Sequence, residues 1–163
     1  MTTKTPNPAM LELLGLRCVA SLATENEDRS IHLTAVWFVC ENGAIYIATS
    51  SRSRKARNLV ARSKATLMVD IRRPGKEKGV TVSGAPELIM GAQAREINQK
   101  IYNKYLSAEA LADPHIVPVF ASLDDATIRI TPNSWFSWDL AEVDTQFFGG
   151  QLFGNPGYLL PLD

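Results

Sequence analysis

The sequence predicts a mainly β domain: six or seven antiparallel strands curled into a closed or nearly closed barrel, with two or three helices inserted between them. Three observations predict it. Runs rich in β-branched and aromatic residues recur along most of the chain. The turns between them are mostly too short for the crossovers that parallel strands need. A small sheet of this kind removes its exposed edges by closing on itself.

The elements follow in order. In "TKTPNPAMLELLGLR", Pro6 and Pro8 end a flexible tail over residues 1–9, and Met10, Leu11, Leu13 and Leu14 form a short amphipathic helix closed by Gly15. "CVASLAT" and "IHLTAVWFVC" are strands separated by the polar turn "ENEDRS". Glu41, Asn42 and Gly43 then make a hairpin with "AIYIATS". In "IHLTAVWFVC" both faces turn apolar toward the C-terminal end, so the strand is expected to be covered on both sides. "SRKARNLVARS" places Ala56, Leu59 and Val60 at helical spacing, with Ser51 or Ser53 as the cap. "ATLMVDI" is a strand, "RRPGKEKG" a basic loop, and "VTVSGAPELIM" a strand with a bulge at Gly84 and Pro86. Ile97, Ile101 and Tyr105 mark one face of a helix from Ala92 to Tyr105. Residues 107–122 read as a loop or a single helical turn, because of Pro114 and Pro118. "ATIRITPNSWFSWDL" reads as two strands meeting at Pro132 and Asn133. The glycine- and proline-rich residues 144–163 read as an irregular apolar tail lying on the barrel or on a partner subunit.

At 163 residues, 45% hydrophobic and 21% charged, the chain is read as one globular domain over residues 1–163. No run reaches the length of a membrane helix and Met1 to Met10 lacks the apolar core of a secretion signal, so a cytoplasmic protein without a membrane partner is expected. Cys18 and Cys40 sit in apolar runs, outside any CxxC or Cys/His cluster, and read as buried free thiols; no metal site is expected. His32 and His115 are far apart and offer no catalytic triad, so no catalytic residue is assigned.

Charge is unevenly distributed. Between Arg52 and Lys78 lie ten of the 17 Lys and Arg residues and only two acids, Asp70 and Glu77. A strand running into Thr49, Ser50 and Ser51, followed by a helix starting near Ser53, offers free backbone N–H groups, hydroxyls and the side chains of Arg54 and Lys55. Cations in a first helical turn oppose the helix dipole, typically by ~0.3–1 kcal/mol each at exposed sites, and a bound anion would offset this. A solvated basic helix face and a nucleic-acid surface are the competing readings. The neutral whole-chain charge, the missing nucleic-acid motif and the small extent of the patch favour a small phosphorylated ligand.

The stretch "HLTAVWFVCENGAIYIATSSRSRKARNLVARSKATLMVD" resembles the core of the pyridoxamine 5'-phosphate oxidase-like flavoproteins, with looser similarity through "GVTVSGAPELI" and "IRITPNSWFSWD". The resemblance implies a split β-barrel of Greek-key connectivity, a homodimer with two cofactor sites at the subunit interface, and FMN or a deazaflavin as cofactor. Carried onto these positions, it implies that Thr49, Ser50, Ser51, Ser53, Arg54 and Lys55 hold the cofactor phosphate. By the same resemblance Thr34, Ala35, Val36 and Trp37 run along the ring system, and Trp138 or Trp135 approaches the site across the dimer. The chain lacks the Arg-x-x-x-Leu-Lys and Arg-His signatures of the authentic oxidase. The reading is therefore a flavin-dependent oxidoreductase acting on another small substrate. A deazaflavin reductase and a flavin- or haem-binding protein without turnover are the alternatives.

Overall fold

The computed structural model describes residues 2–160 of the chain. A two-residue strand, β1 (Thr2–Thr3), precedes helix α1 (Pro8–Gly15). The Asn7 side chain caps α1 by accepting the Met10 N–H at 2.9 Å, and Pro8 sits in the first turn, where its missing N–H costs no helical bond. The tail expected over residues 1–9 is thus corrected: within it lie a strand, a cap and the start of a helix.

Next come β2 (Ala20–Glu25), β3 (Ile31–Val36), β4 (Phe38–Glu41) and β5 (Ala44–Thr49). The β4–β5 turn places Asn42 at φ 51° and Gly43 at φ 73°, the left-handed pair that a two-residue hairpin loop requires. Helix α2 (Arg54–Ala61) is capped by Ser53, whose hydroxyl accepts the Ala56 N–H at 3.2 Å. Ala56, Asn58 and Leu59 are its buried residues, while Val60, expected on that face, is 69% exposed. Asn58 can be buried because its amide donates to Thr24 Oγ1 at 3.1 Å and Asn26 Oδ1 at 2.9 Å.

Strand β6 (Ala65–Ile71) leads into β7 (Lys78–Met90) and helix α3 (Ala92–Tyr105). Two short helices, α4 (Ala108–Ala112) and α5 (Val117–Ala121), fill the segment read as a loop or one turn. Strand β8 (Ala126–Asp139) is continuous rather than two strands. Its first half pairs with β5 and its second half with β1, which is why one long strand carries two patterns. Opposite Gly84 the register slips past Asn133, a bulge on the β8 side. A Cβ on Gly84 would lie 2.2 Å from the Thr131 carbonyl oxygen, so only glycine lets the two backbones meet there.

All pairings are antiparallel, in the order β3-β2-β6-β7-β8-β5-β4, with β1 added on β8. Strands β3 and β4 stand at opposite ends of this order yet are joined by Trp37 alone. A single residue cannot span a flat seven-stranded sheet, so the sheet curls until its edges nearly meet without pairing: a split barrel. Inside lie Leu22, Phe38, Ile45, Ile47, Leu67 and Ile128, all fully buried, with Leu14 of α1 reaching in from one end. The double cover expected for residues 31–40 is absent at the β3 end, where Ile31 and Leu33 are 64% and 65% exposed.

The expected irregular tail over residues 144–163 is also corrected. Helices α6 (Leu140–Phe148) and α7 (Gln151–Gly154) occupy its described part, and residues 161–163 lie outside the described residues. Gly149, at φ 60°, closes α6, and the buried Asp144 carboxylate accepts the Leu152 and Phe153 N–H groups at 3.0 Å each. Cys18 and Cys40 are free and half-buried rather than fully buried, and burial pushes the Cys40 thiol pKa up. No helix among the described residues is long and apolar enough to cross a membrane.

Candidate functional site

Strand β5 ends at Thr49 and the chain turns through Ser50–Ser53 into α2. Each hydroxyl of this turn has a partner. Thr49 Oγ1 and Ser53 Oγ lie 2.9 Å apart, Ser50 Oγ accepts the Arg52 N–H at 3.2 Å, and the Ser53 N–H donates to the Ser50 carbonyl at 3.0 Å. Ser51 is turned away: its N–H and its hydroxyl both donate to the Asp124 carboxylate, brought by the segment between α5 and β8. Hydrogen bonds from Ser50 and Ser51, with Arg52 nearby, hold the Asp124 pKa down at about 2.

Above this turn opens a cavity of ≈ 580 Å³. Ala35, Val36 and Trp37 line one side; Thr49, Ser50, Ser53 and Lys55 line the other. Lys55 is half-buried, and that burial lowers its pKa. No hydrogen bond or ion pair of its ammonium is found among the described residues. A partly desolvated cation without a counter-ion is an unsatisfied charge at the cavity wall.

The apolar wall is held from behind. Trp37 stacks on Tyr105 with ring centroids 5.0 Å apart and planes 2° from parallel. The Tyr105 hydroxyl donates to the Cys18 carbonyl at 2.6 Å and stands 3.4 Å from the Phe38 amide it accepts from. The stack thus fixes the single-residue crossing from β3 to β4. Burial pushes the Tyr105 pKa up to about 12. Tyr102 and Phe120, 4.5 Å apart, form a partition with Leu123 between this cavity and a neighbouring one of ≈ 420 Å³ under α4 and α5.

Seven of the positions singled out in the sequence therefore meet around one cavity, and five do not. Thr34 is not part of the cavity lining, Ser51 is engaged with Asp124, and Arg54 is exposed on the side of α2 facing Asn26 and Asp28. Trp138 packs over Gly79 and against α1, away from this cavity, and Trp135 is in the core at 2% exposure. Sequence reasoning missed Val19, Ala48, Tyr102, Phe120, Leu123 and Asp124. Tyr102 lies off the Ile97, Ile101, Tyr105 stripe, and the adjacent acids Asp124 and Asp125 at the start of a strand were the available signal for a charged contact. Among the described residues, no group of three or more His, Cys, Asp or Glu could hold a metal ion.

A family profile described as pyridoxamine 5'-phosphate oxidase matches residues 7–139. The chain belongs to that family. The fold recurs in solved structures at low identity. A conserved hypothetical protein of Mycobacterium tuberculosis superposes with a TM-score of 0.69 at 19% identity, over 98% of this chain and 93% of that one. An F420 reductase gives 0.62 at 18% identity, over 81% and 98% of the two chains. HutZ, the haem storage protein of Vibrio cholerae, gives 0.60 at 15% identity, over 82% and 93%. No curated protein sequence matches the chain. These similarities establish the oxidase-family fold.

Proposed function

We propose that this member of the oxidase family binds FMN in the ≈ 580 Å³ cavity and is a flavin-dependent oxidoreductase acting on a small substrate. One observation carries the reading: Lys55, half-buried and without a counter-ion, beside Thr49, Ser50 and Ser53 at the N-terminus of α2. An anion on the ligand satisfies that charge, and the α2 N–H groups and dipole add to it. The cavity volume is in the range of small-molecule sites. Ala35, Val36 and the stacked Trp37 give a flat apolar wall on which a planar ring system packs. Bound FMN would supply hydride transfer, and the chain supplies position and exclusion of water.

The chain's own residues have separable parts. Lys55 would neutralise the phosphate and Ser53 and Thr49 would orient it, while Trp37, held by Tyr105, would form the wall behind the ring system. Ser51 and Asp124 hold the loop rather than the ligand. The exposed apolar stripe Ile31, Leu33 and Ala35 on β3 runs to the cavity mouth, and Val19 beside it is 53% exposed. Such a stripe supports a homodimer in which a second copy covers the site.

Similarity to the F420 reductase fold favours a second reading, a deazaflavin in the same cavity. The haem alternative, raised by HutZ, has less support, because neither His32 nor His115 lines the cavity. The test is the absorbance spectrum of the purified protein, with any released chromophore identified by mass, for the natural chain and for Lys55→Glu. FMN in the first and none in the second, with unchanged circular dichroism, is the expected result. FMN retained at full occupancy by Lys55→Glu would remove the phosphate role. Reduction of the bound flavin by NAD(P)H, and its reoxidation by an acceptor, would separate an enzyme from a carrier.

A further inference from the structure

The basic run from Arg52 to Lys78 is not one patch. Strand β6 runs straight through it and carries its second half, the 72–78 hairpin, to the other end of the barrel, about 20 Å from α2 at ~3.3 Å per residue. There a cleft of ≈ 840 Å³ is lined by Arg17 from the link between α1 and β2, and by Arg72, Arg73, Lys76 and Lys78. Three carboxylates share it. Asp70 is paired with Arg72, and Asp139 caps α6 by accepting the Ala141 N–H at 2.9 Å. Glu12 is the third. Arg17, Arg73, Lys76 and Lys78 thus have no side-chain hydrogen bond or ion pair among the described residues, four cations beside two carboxylates, Glu12 and Asp139, that no cation pairs.

Like charges gathered this way repel one another, and a free loop would spread them. This loop is held. The Lys76 N–H donates to the Arg73 carbonyl at 2.8 Å across a turn that uses Gly75 at φ 76°. Gly75 lies against the ring of Phe153, which α7 presents and the buried Asp144 carboxylate anchors through the Phe153 N–H. The Leu140 N–H at the start of α6 donates to the Glu77 carbonyl at 2.9 Å. The C-terminal helices therefore brace a cationic hairpin over a cleft, at a cost in charge repulsion that a bound anion relieves.

We propose that this cleft binds a small polyanion, a molecule bearing several phosphate or carboxylate oxygens, independently of the α2 cavity. Arg17 and Arg73 suit planar oxyanion pairs through their guanidinium forks, and Lys76 and Lys78 act as point charges. The test is a titration of the ¹⁵N-labelled full chain with inorganic pyrophosphate, and separately with citrate, followed by amide shifts at about 0.15 M salt. Saturable shifts at Arg17, Gly75, Lys76 and Lys78, with a dissociation constant below about 1 mM for one of the two, are expected. Pyrophosphate acting alone assigns a phosphate ligand, and citrate acting alone a polycarboxylate. The exposed pair Arg73→Glu and Lys76→Glu should weaken binding at least tenfold, and Lys55→Glu should leave it unchanged. Shifts reproduced by sodium chloride at equal ionic strength, shifts confined to Ser50–Lys55, or binding indifferent to the double variant would each overturn the site. So would tighter binding of a single-stranded oligonucleotide at the same amides, which would make the surface a polymer track.

Discussion

At the α2 end of the barrel, Lys55 shares its cavity with three hydroxyl side chains and an apolar wall, whereas at the β6–β7 end Arg17, Arg73, Lys76 and Lys78 share theirs with Arg72 and three carboxylates. All of these but Arg17 come from one basic stretch of sequence, divided by a single strand. What differs is the company each cation keeps. Apolar walls and an unpaired, half-buried charge describe a site for a molecule with a flat body and one anionic end; a cleft in which cations outnumber carboxylates five to three describes recognition chiefly of charge. Composition could not separate these, because it counts charges without placing them.

The largest expected effect concerns the β7–β8 ribbon that joins the two ends. Replacing Gly84 by Ala sets a Cβ 2.2 Å from the Thr131 carbonyl oxygen and 2.8 Å from its carbon, both backbone atoms that cannot step aside. A loss of about 3 kcal/mol or more in urea unfolding is expected, beyond the usual range for overpacking by one methyl. A loss below about 1 kcal/mol would mean that the bulge opposite Asn133 yields, and that the spacing of the two ends is not fixed by it.

Tyr105→Phe acts at the α2 end alone. It keeps the ring stack on Trp37 and removes the hydrogen bond to the Cys18 carbonyl, so about 1 kcal/mol of stability should be lost at neutral pH. The pH dependence has a definite sign. The folded pKa is raised from 10.0 to about 12, so the contribution of the neutral phenol is complete below pH 10 and is lost as pH rises toward 12. Urea midpoints measured across that window should fall in the natural chain and fall less in the variant. Equal slopes would show that the phenol titrates at its ordinary value.

A smaller effect is expected on cofactor affinity. Burial lowers the Lys55 pKa below its ordinary 10.5, and the phosphate needs the charged form. FMN affinity should therefore weaken on the alkaline side, beginning below pH 10.5, as the ammonium loses its proton. Fluorescence titrations from pH 7 to pH 10 would read this out, and Lys55→Arg, which stays charged, should flatten the profile. A profile unchanged by Lys55→Arg would place the phosphate elsewhere.

Much of this molecule is legible in its sequence, for identifiable reasons. Runs rich in β-branched and aromatic residues mark the strands, Asn42-Gly43 marks the hairpin, and the serines at 51 and 53 mark the start of α2, because each signal is local. The break at Trp37 is not legible, since "AVWFVC" is apolar throughout and the change of pairing partner from β2 to β5 is set by closure of the sheet. Helices α6 and α7 were hidden by glycine and phenylalanine content; their organiser is one buried acid, Asp144, whose partners are backbone amides. Asp124 was hidden for the same reason, its contact with Ser51 spanning 73 residues.

The smallest effects compare the two carboxylates that sit beside the basic clusters. Asp124 accepts from the Ser50–Ser51 turn with a pKa near 2, so its contribution is complete above its ordinary 3.8 and disappears as pH falls from there toward 2. Asp124→Asn should therefore flatten the acid-unfolding curve across that window and loosen the loop that positions Lys55, read as faster amide exchange at Ser51 and Arg52. Asp70 is paired with Arg72, a side chain 68% exposed. Arg72→Ala should cost less stability than Asp124→Asn, since an ion pair whose cation stands in solvent contributes little, even with the Asp70 side chain only 13% exposed. If Arg72→Ala proved as damaging as Asp124→Asn, the β6–β7 hairpin would be held by its own ion pair and not by Phe153, and the bracing assigned to the C-terminal helices would have to be withdrawn.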